Sequence, residues 1–179
     1  MVPGRGVLAA ARYVASPNCD ARPRGIAVTL LVLHSISLPR GCFGGDAVVR
    51  LFTNRLDPRA HAAFRNLAGL RVSAHFLVRR DGSLLQFVPL QRRAWHAGLS
   101  RWRGRERCND FSIGVELEGT DDAAFADVQY GQLGELVRTL RAALPIREIA
   151  AHSDIAPGRK TDPGRAFDWS RLLLELARR

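Results

Sequence analysis

Residues 26–33 (IAVTLLVL) form an unbroken apolar, β-branched run, the pattern of a central strand buried on both faces. His34 follows directly. The glycine-heavy stretch 39–46 (PRGCFGGD) reads as a loop. Asp46 is placed to cap a short helix through Arg55, and Asp57-Pro58 to open another through Leu67. Residues 72–80 read as a strand, Asp81-Gly82 as a tight turn and residues 83–88 as the hairpin partner. Residues 94–98 (AWHAG) make a loop.

Residues 111–118 alternate. Phe111, Ile113, Val115 and Leu117 define one face; Ser112, Gly114, Glu116 and Glu118 define the other. This predicts a half-buried strand with two carboxylates on its polar face. Residues 127–143 carry Val128, Leu133, Leu136, Val137 and Leu140 at helical spacing and stop before Pro145. Residues 146–151 are a second short apolar strand ending at His152. A loop over 153–165 and a last helix over 167–178 complete the chain, and residues 1–25, rich in Pro, Gly and Arg, read as an irregular arm. Strands and helices are mixed without an internal repeat, which predicts an α/β fold with one sheet flanked by helices.

At 179 residues and 46% hydrophobic, the chain suits a single domain spanning 1–179. A charged fraction of 25% excludes wholesale disorder. No apolar run approaches the ~18 residues of a membrane span. The stretch 7–11, between Arg5 and Arg12, is too brief for a secretory core, so a cytoplasmic location is expected. Cys19, Cys42 and Cys108 are an odd number in no CxxC spacing, and read as free, packed thiols rather than ligands.

The 27 basic residues exceed the 17 acidic ones, for a net charge of +10. Lys160 is the sole lysine among them. The arginines are scattered, clustering only at 79–80, 92–93 and 101–107, with no helix-turn-helix, zinc-finger or basic-region pattern. Solvated charge, or attraction of an anionic small substrate, is the reading; no nucleic-acid or membrane partner is expected, and the chain is expected to be a monomer.

His34 and His152 each end a predicted strand, where rigid backbone projects side chains toward ligand-binding loops. Asp162 lies ten residues past His152, in HSDIAPGRKTDPG, a loop stiffened by Pro157 and Pro163. Two imidazoles and a carboxylate are the ligand set of an open zinc site, which leaves a position for water and lowers its pKa to about 7. Such chemistry needs a base and a group to hold the developing oxyanion. Glu116 or Glu118 can be the base, and Lys160 can place an ammonium near the oxyanion. His61, His75 and His96 are competing ligands; His96, beside Trp95 in a glycine-bounded loop, is the best substitute.

The segments LLVLHSISLP, FGGDAVVRLFTNRLDPRAH, LRVSAHFLVRRDGSLLQFVPL, RAWHAG, GRERCNDFSIGVELEGTD and AHSDIAPGRKTDPG resemble the AmpD family of 1,6-anhydro-N-acetylmuramyl-L-alanine amidases, from about residue 8 to 175. The resemblance implies a central mixed β-sheet with helices packed on it, the fold of the peptidoglycan-recognition proteins. It implies zinc held by His34, His152 and Asp162, with Glu116 and Lys160 as the catalytic pair. It implies hydrolysis of the amide between anhydromuramic acid and L-alanine in muropeptides from cell-wall turnover, which also drains the signal inducing a chromosomal β-lactamase. Arg71 and Arg107 match positions that bind the acidic end of the peptide, where a planar guanidinium grips a carboxylate in two places. Trp95 is an apolar wall for sugar or peptide. Ser35 stands where family members carry Asn, and its shorter side chain weakens any substrate contact there.

Three other functions compete. A non-catalytic peptidoglycan-binding domain would have lost ligands that are all present here. An amidase of the intact wall would need export. A nucleic-acid binder rests on charge alone.

Overall fold

The structure is a computed structural model that describes residues 6–178, so Arg5 and the rest of the extreme arm lie outside the described residues. In chain order the strands are β1 (Arg12–Tyr13), β2 (Cys19–Ala21), β3 (Leu30–Ile36), β4 (Phe76–Val78), β5 (Leu84–Gln86), β6 (Arg92–Ala94), β7 (Arg101–Trp102), β8 (Arg105–Glu106), β9 (Ser112–Glu118) and β10 (Glu148–Ala151). The α-helices are α1 (Ala47–Phe52), α2 (Asp127–Ala143), α3 (His152–Ile155) and α4 (Trp169–Ala177), with short 3-10 helices at Ala62–Leu67 and Cys108–Asp110.

Six strands form the central sheet in the order β1-β5-β4-β9-β3-β10. β3 runs parallel to β9 and β10, and β4 parallel to β9 but antiparallel to β5, so the sheet is mixed as expected. On one face, Leu31, Leu33, Ile113, Val115 and Leu117 share a core with Leu133, Leu136, Val137 and Leu140 of α2 and Leu172 of α4. The other face has two clusters. Val48, Leu51 and Phe52 of α1 join Leu77, Leu85 and Phe87; Ala97, Cys108, Phe111 and Ile155 join Leu30, Val32 and Ala150. The period-2 alternation of β3 and β9 places His34 and Glu116 on this second face.

Gln129 in the first turn of α2 ties the two layers together. Its side chain accepts the Ala126 N–H at 3.0 Å and donates to the Val78 and Glu118 carbonyls at 3.3 and 3.1 Å. That satisfies donors and acceptors at a helix start and two strand ends that would otherwise be buried unpaired.

Several expectations are corrected. β3 starts at Leu30 rather than residue 26: the register with β9 begins only at Leu30 opposite Ser112, and ahead of it Thr29 makes a single N–H bond to the Phe111 carbonyl, which lies outside β9. It continues past His34 to Ile36, so His34 lies within the strand. Phe111 follows a 3-10 turn, so the β9 alternation begins one residue later and Phe111 packs on the face opposite Ile113. All seven residues of β9 are buried, not half of them, because both faces are covered. The described part of the arm is not irregular throughout: β1 pairs with β5 and β2 with β6.

Asp46 occupies the N-cap of α1, but its carboxylate pairs with Arg50 at 2.7 Å instead of capping. The helix expected from Asp57 is a 3-10 turn capped by exposed His61, which accepts the Ala63 N–H at 3.1 Å. Residues 153–165 begin with the single turn α3. Cys108 is buried and Cys19 half-buried, whereas Cys42 is exposed, so packing does not describe that thiol. Among the described residues no helix is long and apolar enough to cross a membrane.

Candidate active site

β3 and β9 run side by side with His34 opposite Glu116. β10 flanks β3 on its other side, with Ala151 opposite Leu33, so His152, the next residue, emerges beside His34. Asp154 holds this strand-to-helix junction by accepting the Ala151 N–H at 2.8 Å. The loop that follows folds back on it: the Ser153 N–H donates to the Asp162 carbonyl at 3.0 Å. Farther along, the loop is seated on Asp121, whose carbonyl accepts the Ala166 N–H at 3.0 Å.

These contacts bring His34, His152 and Asp162 together. His34 Nδ1 and His152 Nδ1 are 2.9 Å apart, and Asp162 Oδ2 lies 3.1 Å from the first and 3.0 Å from the second. Both histidines are buried, and the ligand atoms of the three residues all fall within 4.8 Å of one another.

The hydrogen-bond partners of the far ring nitrogens decide what those near atoms present. His152 Nε2 faces the Ala97 carbonyl at 3.3 Å, which can only accept, so a neutral His152 carries its proton there and turns an Nδ1 lone pair inward. His34 Nε2 faces His96 Nδ1 at 2.9 Å, away from the cluster. Burial, opposed by the nearby Asp162, pushes His34 down to about 4, so it is neutral at pH 7. Burial works against the charge on Asp162, but the two imidazoles beside it outweigh that and hold the carboxylate well below its ordinary range. Acceptor atoms aimed at one point, with hydrogens directed elsewhere, are the donor set of a cation site, and the three residues fit a metal ion.

Glu116 sits at the floor of the same cavity. It is 9% exposed, and Oε2 has no hydrogen-bond partner. Desolvation first, then the charge of Asp162, push its pKa well above the ordinary carboxylate range, while Lys160 pulls the other way. Glu118, the alternative base, is used elsewhere: it accepts the Gly44 N–H at 2.7 Å and the Arg80 N–H at 3.1 Å.

The cavity, of about 260 Å³, is lined by His34, Ser35, Glu116, His152, Lys160 and Asp162 together with Trp95 and an apolar wall that includes Leu51, Phe52 and Leu70. Arg107 lines a neighbouring depression that shares Trp95 with this cavity. Arg71 is exposed and lies between Leu70 and Val72, which line the cavity wall, but does not itself line it.

The competing histidines are separated by position. His61 is on the surface. His75 is fully buried, where it accepts the Gly114 N–H at 3.0 Å. His96 lines the cavity but stands behind His34, its ring in edge contact at a centroid distance of 5.0 Å, and is not among the three residues whose ligand atoms converge. Desolvation, then the neighbouring His34, push His96 well below the ordinary imidazole range. The sequence reading missed Ser112, which contacts His96, and Gly114, on which His96 rests. Neither had a signal beyond its place on the polar face of the strand.

A mixed sheet carrying two buried histidines, a carboxylate and an unpaired glutamate is an arrangement that could hold a metal and serve a hydrolase. Residues 24–165 match the family model of N-acetylmuramoyl-L-alanine amidase, and the chain belongs to that family of amide-cleaving enzymes. Within it, the chain is similar over nearly its whole length to 1,6-anhydro-N-acetylmuramyl-L-alanine amidase AmpD of Escherichia coli K12, at 56% identity covering 94% of this chain and 93% of the relative. A crystal structure of AmpD in its selenomethionine form superposes with a TM-score of 0.95 at 53% identity, covering 98% of this chain and 99% of that one. The E. coli amidase AmiD, solved in complex with anhydro-N-acetylmuramic acid-L-Ala-D-γ-Glu-L-Lys, superposes at 0.60 with 33% identity over 87% of this chain and 58% of that one.

Proposed function

We propose that this chain is a zinc-dependent amidase that cleaves the amide between the lactyl group of 1,6-anhydro-N-acetylmuramic acid and L-alanine in muropeptides. The observation that carries the reading is the convergence of His34 Nδ1, His152 Nδ1 and Asp162 Oδ2 within 3.1 Å of one another, beside the unpartnered carboxylate of Glu116. Similarity to AmpD over 94% of the chain supports the choice of substrate.

His34, His152 and Asp162 would hold the zinc. Bound there, zinc supplies a Lewis acid that polarises a carbonyl and makes a water nucleophilic near neutral pH. Glu116 takes the proton of the attacking water and returns it to the departing alanine nitrogen; its raised pKa suits a group that must both accept and donate near neutrality. Lys160 places its ammonium toward the oxyanion that develops on the lactyl carbonyl. The apolar wall and Trp95 exclude water and seat the sugar or peptide, Ser35 makes at most a short-reach contact, and Arg107 and Arg71 receive the carboxylates of the stem peptide.

In this reading the enzyme works as a monomer in the cytoplasm on peptidoglycan turnover products, without a nucleic-acid or membrane partner, and lowers the muropeptide signal that induces a chromosomal β-lactamase.

The test is turnover of anhydro-N-acetylmuramyl-L-Ala-D-γ-Glu-L-Lys against intact sacculi. The expected result is release of the free peptide and anhydromuramic acid, lost on chelation and regained with zinc. Preferential release from sacculi would make the enzyme a wall amidase instead, and binding without cleavage would make it a recognition domain.

A further inference from the structure

Behind His34 runs a chain of hydrogen bonds with a single permitted direction. It ends at the Cys108 carbonyl, which can only accept. Ser112 Oγ lies 2.6 Å from that oxygen and has one hydrogen, so the hydroxyl donates to it. His96 Nε2 is 3.2 Å from the same Ser112 Oγ, and since the hydroxyl hydrogen is already used, a neutral His96 carries its proton on Nε2 and donates. That leaves a lone pair on His96 Nδ1, which lies 2.9 Å from His34 Nε2 and accepts its proton. His34 is thereby left with a bare Nδ1, the atom that faces His152 and Asp162.

The backbone beneath His96 is shaped for that ring. A Cβ placed on Gly114 would come within 2.5 Å of the imidazole, closer than real carbons pack, so only glycine at that point of β9 lets the ring lie flat against the strand. The loop around His96 is held as well: Asn109 Oδ1 accepts the His96 and Ala97 N–H groups at 3.2 and 2.8 Å. Arg159 Nη2 donates to the Ala97 and Leu99 carbonyls at 2.8 and 2.6 Å.

We propose that His96 and Ser112, seated on Gly114, are positioning residues that lock His34 in the tautomer whose Nδ1 is free to ligate metal. The proposal rests on the reading of His34 as a metal ligand. It concerns which nitrogen carries a proton at fixed charge. A free imidazole exchanges between tautomers, and the wrong one puts a hydrogen on the coordinating atom, which must be removed before the metal binds. The relay removes that competing state before the metal arrives.

Two substitutions test it. His96→Phe keeps a flat ring and removes both hydrogen bonds. Ser112→Ala removes one oxygen, and frees His96 to hold its proton on Nδ1 and so push the His34 proton to the ligand atom. Histidine 15N resonances of the metal-free protein read the tautomer, and competition with a chelator reads zinc affinity. The wild type is expected to bind zinc and to show His34 as the Nε2–H form. Wild type that binds no zinc removes the metal-site reading itself, whereas the following outcomes bear on the relay alone. Both variants are expected to show Nδ1–H character at His34 and to bind zinc about 10- to 100-fold more weakly, the usual cost of losing a group that orients a ligand. Unchanged tautomer, or changed tautomer with affinity within twofold of wild type, overturns the proposal. If His96→Phe does not fold, Ser112→Ala decides by the same two readouts.

Discussion

Glu116 stands directly across from His34 on adjacent parallel strands, and Leu77 of β4 stands on its other side, so the proposed base and the first ligand share one row of the sheet. Rows of this kind are the most rigid part of an α/β fold, because every backbone group along them is already paired. The distance between base and ligand is therefore a property of strand register rather than of loop closure. Slipping β9 by a single residue would turn Glu116 to the α2 face and abolish the site.

Glu116→Gln should keep the metal and lose turnover by about 10²- to 10⁴-fold, the usual contribution of a positioned acid–base group. Asp162→Ala should lose the metal itself, so zinc content separates the two. The same glutamate sets a pH dependence in the metal-free protein. Its folded pKa is raised, mainly by burial, so the folded state holds a proton that the unfolded chain releases near pH 4. Its unfavourable contribution is then absent below that pH and grows as pH rises toward the folded pKa. Glu116→Gln should raise the unfolding midpoint at pH 7 and leave it nearly unchanged at pH 3.5. A midpoint gap that is equal at the two pH values would contradict the raised pKa.

Lys160→Ala should lower kcat by about 10²- to 10³-fold with zinc content intact, the scale of losing one oxyanion donor. Lys160→Arg should restore only part of that, since a planar guanidinium cannot occupy the position of a compact ammonium. Full activity of the Arg variant would mean that charge alone matters at that point.

Gly114→Ala should destabilise the fold by about 1–3 kcal/mol, because the new methyl meets the His96 ring inside contact distance and one of them must move. Urea denaturation of the metal-free protein measures it. A neutral effect would show that the loop carrying His96 yields freely.

Arg107→Ala should raise KM for a substrate with an intact acidic stem peptide and leave kcat close to wild type. Its guanidinium is exposed and lines a depression that shares Trp95 with the candidate cavity. The difference should shrink for a substrate trimmed to anhydro-N-acetylmuramyl-L-alanine. A drop in kcat with KM unchanged would place Arg107 in the chemical step instead.

The chain pattern made much of the candidate site legible. A continuous apolar run before His34, strict alternation through Glu116 and a short run before His152 are local signals, because strand burial is written in neighbouring residues. Where it failed, a partner at long sequence separation was in control. Residues 26–28 look like strand but lie ahead of the register with β9, which begins at Leu30 opposite Ser112, and Phe111 fits the alternation but follows a 3-10 turn. Glu118 looks equivalent to Glu116 by period, yet two backbone N–H groups from distant loops consume it.

Residue order alone therefore dictated which chemical groups this protein owns and on which face of which strand each would stand, since side-chain alternation is a property of the extended backbone. Which of five histidines cluster with Asp162, which one backs His34 and which merely caps a turn was decided only when the chain closed on itself. An imidazole's role depends on the partner of its second nitrogen. For His34 that partner is His96, 62 residues away, and for His152 it is the Ala97 carbonyl, 55 residues away.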